Sequence, residues 1–375
     1  MENNAPDGVP ADDETMRKMR PDMETAARIL SSAGRNGKFV LVRFHCDADG
    51  ITSGIALWKA LGSKKAVIMQ NGSAIYEMRD AVRDLNNMLG YEKPLLVLAD
   101  FGANEESREA HALMRAAGVE TMVIDHHPHS QKTASLLSLF VSPHKEGMGG
   151  TSDYAAGFLC SRIATIAGAD EKAMHELARL SLCGDKSKFA SDDAQIAKKA
   201  LVLDYLASFG NFNNAGEFYS RVLSREEVWM EFYSVAQEKL DRIREAAAPL
   251  CKVHMEGNVG IVVVPLEKLS AGRNEFPSPG KTCGVAYDAL RETGKPFVGI
   301  GHSKRTVNFR ASKEALESGF SARKIITALK GELPNCIEAG GGHDGAASIR
   351  VREGCDGIVL EAALKKTKEW AVNLR

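Results

Sequence analysis

The chain has 375 residues, 44% of them hydrophobic and 26% charged, with a formal net charge of −1. That length exceeds what one hydrophobic core usually fills and points to two domains, while the balanced charge argues against a protein that coats nucleic acid through bulk electrostatics. No apolar run approaches the ~18 residues of a membrane span, and seven cysteines scattered without a CxxC pair argue for reduced thiols rather than disulfides or a thiolate zinc site.

In chain order, the opening MENNAPDGVPADDET is acidic and proline-containing, unlike a signal peptide, so residues 1–21 read as a disordered lead-in to a cytoplasmic protein. From residue 22 to 223, short apolar runs alternate with helical spacing. KFVLVRFH (38–45), KAVIMQ (65–70), PLLVLADF (94–101) and ETMVIDHH (120–127) read as buried strands, with GIALWKALG and YEMRDAVRDLNNML among the helices between them. Near-continuous apolar strands separated by helices imply an α/β domain built on a parallel sheet. Helical segments follow to about residue 222.

Residues 224–250 read as one connecting helix. Ser224 and Glu227 have capping-box spacing, Val228, Phe232, Val235, Leu240 and Ile243 form an apolar stripe, and Pro249 is expected to stop it. Strand character resumes in VGIVVVP (259–265), KPFVGIGH (295–302), TVNFRAS (306–312) and AASIRV (346–351), giving residues 251–375 as a smaller α/β domain with a mixed sheet. SPGKTCG (278–284) contains GKT but has Glu275 where a phosphate-binding loop needs glycine, and reads as a helix entry. GMGG (147–150) reads as a mobile loop.

Four acidic segments follow strand or helix ends. In FHCDADGITSG (44–54), strand alternation would turn His45, Asp47 and Asp49 the same way, with Gly50 making a tight turn into a helix whose N–H groups suit an anion. Asp100 ends the next apolar run, Asp125, His126 and His127 end another, and Asp185 follows a glycine in SLCGDKSKF (181–189). Each has a plainer reading: an Asp-Gly surface turn, a helix cap, a polar loop. Together, two histidines and four carboxylates could hold two cations with mixed oxygen and nitrogen ligands, a set that suits Mn²⁺ better than Mg²⁺ or zinc. One carboxylate would bridge, and Asp100 is the choice because its strand should lie between the other two.

HCDADG, ADFG, IDHH and the GD at 184–185, in this order, resemble the motifs of the DHH phosphoesterase superfamily. EAGGGHDGAASIRV (338–351) resembles the glycine-rich signature of the DHH-associated C-terminal domain, and GKPFVGIGHSKRTVNFRAS resembles the strand pair before it in RecJ-type nucleases. The resemblance spans residues 38–351 and implies a parallel-sheet DHH domain joined by a long helix to a substrate-binding domain. It implies metal ligation by His45, Asp47, Asp49, Asp100, His126 and Asp185 to two divalent ions, Mn²⁺ preferred over Mg²⁺. His127 would donate to the substrate phosphate, Asp125 would brace the histidines, and His129 lies outside the motif.

In the second domain, Gly340, Gly341 and Gly342 lack Cβ atoms, as a backbone nest for phosphate would require, although a plain glycine turn fits too. Arg310 offers a planar fork for phosphate, with Ser312 two positions on. The resemblance implies that Arg310 and His343 hold the substrate across an interdomain cleft.

The leading expectation is an Mn²⁺-dependent RecJ-like exonuclease on single-stranded DNA or RNA, with His127, Asp100 and Arg310 in catalysis. The rival is a DHH phosphoesterase of short oligoribonucleotides, nucleotide 3′-phosphates or cyclic dinucleotides, favoured by neutral charge and no room for a strand-gripping OB-fold. A third reading is a scaffold within a replication complex. The acidic N-terminal segment is a candidate tether to a replication or repair protein, and no membrane partner is expected.

Overall fold

Runs that are apolar on both faces suit the middle of a sheet covered by helices on both sides. In the computed structural model, which describes residues 12–62, 66–210, 215–269 and 275–374, those runs become β1 (Val40–His45), β3 (Leu95–Ala99) and β4 (Glu120–Ile124), buried almost throughout. With β2 (Ala66–Asn71) and β5 (Leu139–Val141) they form a parallel sheet in the order β2-β1-β3-β4-β5. The helices are α1 (Glu14–Arg35), α2 (Ala48–Leu61), α3 (Met78–Met88), α4 (Arg108–Ala116), the short α5 (Gln131–Ala134), α6 (Ala156–Ile166), α7 (Glu171–Gly184), α8 (Ala194–Ala207) and α9 (Ala215–Leu223). On one face Ala81, Met88, Ala110 and Met114 of α3 and α4 pack on Leu41, Leu96 and Leu98. On the other, Phe44 meets α2 at Gly54, where a Cβ would stand 2.4 Å from its ring.

The lead-in expected to be disordered through residue 21 is helical from Glu14. Asp13 caps α1 by accepting from Met16 N at 2.9 Å, and Met16, Met19, Met23 and Leu30 are buried. Pro21 inside the helix and the surrounding charges hide this apolar stripe in the sequence. Residues 1–11 lie outside the described residues.

The chain divides into two units, one through Tyr233 and one from Ser234, inside α10 (Glu226–Leu250). This is the expected connecting helix, with three corrections. Ser224 Oγ donates to Arg221 O and so closes the preceding helix rather than capping α10. Pro249 sits inside the last turn, and the helix ends one residue past it, at Leu250. Val235 is exposed, and the buried stripe is Trp229, Ala236, Leu240, Ile243 and Ala247.

The second unit holds a mixed sheet in the order β10-β11-β9-β8-β7-β6: β6 (Lys252–Glu256), β7 (Val259–Pro265), β8 (Phe297–Ser303), β9 (Thr306–Ala311), β10 (Ile337–Gly342) and β11 (Ala346–Val351). Only β7 and β8 pair in parallel. Its helices are α11 (Leu266–Leu269), α12 (Pro279–Leu290), α13 (Lys313–Glu317), α14 (Ala322–Glu332) and α15 (Asp356–Val372). Ile261, Ile300, Phe309 and Ile349 face α14 and α15, while Val262 and Val264 face Cys283 and Ala286 of α12 and Ile243 and Ala247 of α10. Among the described residues, no helix is long and apolar enough to cross a membrane.

Candidate metal centre

β1, β3 and β4 are adjacent and parallel, so their carboxyl ends open on one edge of the sheet, where open α/β sheets bind ligands. His45 ends β1, Asp100 follows β3, and Asp125, His126 and His127 follow β4. Asp47 and Asp49 are not on a continuing strand. The chain turns into α2 at Asp47, which caps that helix by accepting from Gly50 N at 2.8 Å. The turn sends the two aspartates to different neighbours.

Gly50 serves close approach rather than a left-handed turn: a Cβ there would lie 2.1 Å from the His45 carbonyl oxygen. Two of the N–H groups at the start of α2, expected to stabilise an anion, are already taken by carboxylates of the chain itself. Asp47 takes Gly50 N, and Asp204 Oδ1 takes Ala48 N at 2.8 Å.

Two groups of ligand atoms form, and they share Asp100. His45 Nδ1 lies 2.7 Å from Asp47 Oδ2 and 3.5 Å from Asp100 Oδ2. His126 Nε2 lies 3.2 Å from Asp100 Oδ1 and 3.6 Å from Asp49 Oδ2. Within each group the ligand atoms lie within 4.8 Å of one another. Asp100 therefore turns one oxygen to each group, as expected of the strand between. Its backbone has φ 68°, a conformation uncommon outside glycine and found where surroundings over-determine a residue. Its Oδ1 is buried with no partner of hydrogen-bonding geometry. Left so, that oxygen costs about 1–3 kcal/mol, which a cation would remove.

Neighbours fix how the other ligands present themselves. His126 Nδ1 lies 2.7 Å from Ser152 O. A carbonyl only accepts, so Nδ1 keeps a proton and Nε2 is the nitrogen that can take a cation. Asp49 Oδ1 accepts from Gly157 N (2.8 Å) and Ser181 Oγ (2.5 Å), and Oδ2 accepts from Ala156 N (2.9 Å) while facing His126. The carboxylate is thereby moored to the first turn of α6. Asp185 follows α7 with Oδ2 3.7 Å from His126 Nδ1, beside the second group but not within it.

Asp125 Oδ1 accepts from His127 N (3.0 Å) and is paired with His127 Nδ1 (2.8 Å), so it braces His127, while His126 is held by Ser152 O instead. Asp100, Asp125 and His127 also lie within reach of one another, but the Asp125 oxygen is already committed to His127. His129 is half-buried with its ring edge-on to Phe140 at 4.8 Å.

The charges in this pocket are unbalanced. Burial, then Asp100, pushes Asp49 well above the usual carboxylate range, and burial pushes Asp185 up to about 6. Burial would lower His45 and His126, but the facing carboxylates hold both well above an ordinary histidine. Burial would likewise raise Asp100, yet His126 and His45 hold it well below its usual value. A cation bound here would have to displace protons from these groups. The carboxylates of Asp47, Asp49 and Asp100, with Asp185 beside them, would offset the charge of two divalent cations, and the mix of oxygen and nitrogen donors fits such ions. The residues fit the group.

Three supports were not legible in the sequence: Ser152 O behind His126, Ser181 behind Asp49 and Asp204 behind Ala48. None carries a motif, and each arrives from a segment remote in the chain. The GMGG segment expected to be mobile is a hydrogen-bonded turn, with Met148 N on Lys145 O and Gly150 N on Pro143 O, and it leads directly to Ser152.

In the second unit, Arg310 lies over the start of α12, donating to Gly280 O and Phe309 O at 2.8 Å each. A Cβ at Gly280 would stand 3.1 Å from its Nη2, so that glycine of the SPGKTCG stretch makes room for the arginine. Ser312 is a correction. Only 3% exposed, it caps α13 through Ala315 N, accepts from Phe297 N and donates to Lys295 O, leaving nothing for a substrate. The three glycines form no nest; they lie in the edge strand β10. Gly340 makes room for Ile326 and Ser348 O, and Gly342, at φ 126°, for Ala346 O, while Gly341 has open space. His343 N and Ala346 O close the hairpin at 2.8 Å.

The family model described as "DHH family, N-terminal domain" matches residues 39–184, the stretch holding every expected ligand except Asp185. Residues 39–184 are a DHH-family domain. Over 91% of its length, the chain is 26% identical to an uncharacterized protein of Methanocaldococcus jannaschii. It spans about half the length of that curated relative, 53%. A solved DHH domain, described as coming from a member of a family of ribosomal proteins, superposes with TM-score 0.84 and 25% identity, over 96% of this chain and 95% of that one. Thermus thermophilus RecJ in complex with Mn²⁺ superposes with TM-score 0.59 and 16% identity, over 94% of this chain and 55% of that one. The RecJ likeness shows a shared fold.

Proposed function

We propose that the chain is an Mn²⁺-dependent phosphodiesterase of RecJ-like exonuclease type, releasing nucleotides from an end of single-stranded DNA or RNA. The observation that carries this reading is the single buried carboxylate of Asp100, turned with one oxygen to each of two His/Asp groups. A pair of divalent cations bound there would supply an activated water and positive charge for both oxygens of an in-line displacement at phosphorus.

The chain's own residues do the rest. Ser152 O holds His126 by Nδ1, and the first turn of α6 holds Asp49, so both ligands are preset. Burial and His126 would lower His127, but Asp125 raises it, favouring a ring protonated on both nitrogens that can donate to a non-bridging phosphate oxygen. In the second unit, Arg310, braced on two carbonyls, and His343 with the open Gly341 are assigned to contacting a substrate phosphate. Ser312, Gly340 and Gly342 are not.

The RecJ likeness supports this at the level of fold. The net charge of −1 favours the second reading, in which the same site takes short oligonucleotides or other small phosphoesters. A length series from dimer to long single strands, on both sugars with Mn²⁺, separates the two. Mononucleotide release from long strands supports the exonuclease, cleavage confined to the shortest substrates supports the rival, and no cleavage at any length defeats both. A tether to a replication or repair protein is assigned to residues 1–11, since Met16 and Met19 belong to the core. Deleting only those residues should abolish partner capture while sparing hydrolysis.

A further inference from the structure

The sheet of the second unit ends at β6, which among the described residues pairs only with β7. Val253 and Met255 on this edge are each 47% exposed. Proteins usually blunt such edges, because unpaired N–H and C=O groups beside apolar side chains recruit another strand. The five residues of β6 suggest which strand. Lys252-Val253-His254-Met255-Glu256 is its own complement. Run antiparallel to a second copy and centred on His254, Lys252 faces Glu256, Val253 faces Met255, and both pairs occur twice.

The two faces of the edge agree with this pairing. Val253 is opposite Val262 and lies on the side covered by α12, while His254 is opposite Ile261 on the side of α14 and α15. On that second side α15 lies next to β6, with Lys368 Nζ 3.7 Å from Glu256 Oε1. The outer side of α15 carries an open groove of about 610 Å³ bordered by Leu364, Lys365, Lys368 and Val372. A five-residue strand alone buries too little for a stable interface, which takes ~800 Å² per partner. A two-fold axis through His254 would set a second α15 on the same face of the joined sheet, where it would add to the buried area.

We propose that two copies of the chain associate through β6 in antiparallel register centred on His254, joining two six-strand sheets into one across an isologous interface. Light scattering and sedimentation of the full chain across the micromolar range test this. The wild-type mass should rise toward two chains with concentration. Lys252→Glu sets the introduced carboxylate against that of Glu256 in the other copy, at both ends of the pairing, and should hold the protein at one chain. The double variant Lys252→Glu with Glu256→Lys should restore association, the exposed Lys368 side chain moving aside, which a folding defect would not do. Circular dichroism of all three should agree. A wild-type protein that stays at one chain throughout, a Lys252→Glu protein that associates as well as wild type, or a double variant that fails to recover would each overturn the proposal.

Discussion

Asp100 shows how a single side chain comes to serve two groups. Its strand lies between β1 and β4, its backbone is held at φ 68°, and its carboxylate is flanked by imidazoles on both sides. His127 stands nearby, fixed by Asp125 and 31% exposed, and is proposed as a phosphate donor rather than a ligand. Replacing His127 with Asn should lower kcat by ~10²–10³-fold, the scale of one lost transition-state donor. Mn²⁺ affinity should stay within a few-fold. If affinity collapses with kcat, His127 is a ligand.

The same pocket sets a pH dependence. Asp185 at about 6, the raised Asp49, and the raised His45 and His126 must all shed protons before they can ligate. Affinity for Mn²⁺ should therefore climb as pH rises through 6 and continue upward as the histidines titrate. Calorimetry in buffers of different ionisation heat should show protons released on binding. A flat profile with no proton release would contradict the assigned ligands. In the cation-free protein, histidines raised above their unfolded values stabilise below ~6.5 and lose that contribution as pH rises through their folded values. Cation-free stability should fall with rising pH, and Mn²⁺ should restore it.

At the scale of elements, the junction of β1 and α2 is the tightest part of the site. Gly50→Ala would place a Cβ 2.1 Å from the His45 carbonyl. The backbone must shift, at a cost of about 1–3 kcal/mol, and Mn²⁺ affinity should drop with it. Gly72→Ala, with nothing within 4 Å, is the control and should change denaturant stability little. Equal behaviour of the two variants would show that the close approach is not needed.

This junction also marks where the sequence stops being readable. The apolar runs of β1, β3 and β4 announce buried parallel strands, so the edge bearing Asp100 and the DHH tract could be placed. The route of HCDADG could not, because the same letters fit an extended strand or a turn into a helix. Which one forms depends on Asp204, Ser181 and α6, all remote in the chain. α1 was hidden by Pro21, and β6 and β10 by their exposed or glycine-rich composition.

At the scale of the whole molecule, each unit has its own sheet and its own core, and the ligands of both cation groups belong to the first. A bound cation therefore stabilises one unit directly. At Mn²⁺ a hundredfold above Kd the gain is about 2.7 kcal/mol. Hydrogen exchange should slow in β1, β3, β4, α2 and α6 while β7, β8 and β9 stay unchanged without substrate. Equal protection of both sheets would contradict that assignment.

The most direct test is the number of Mn²⁺ ions held per chain, by equilibrium dialysis of the wild type beside Asp100→Asn. Two ions on the wild type, and neither held tightly once Asp100 is changed, is the expected result. One or no ion on the wild type, or two retained by the variant, would contradict a pair of cations sharing Asp100.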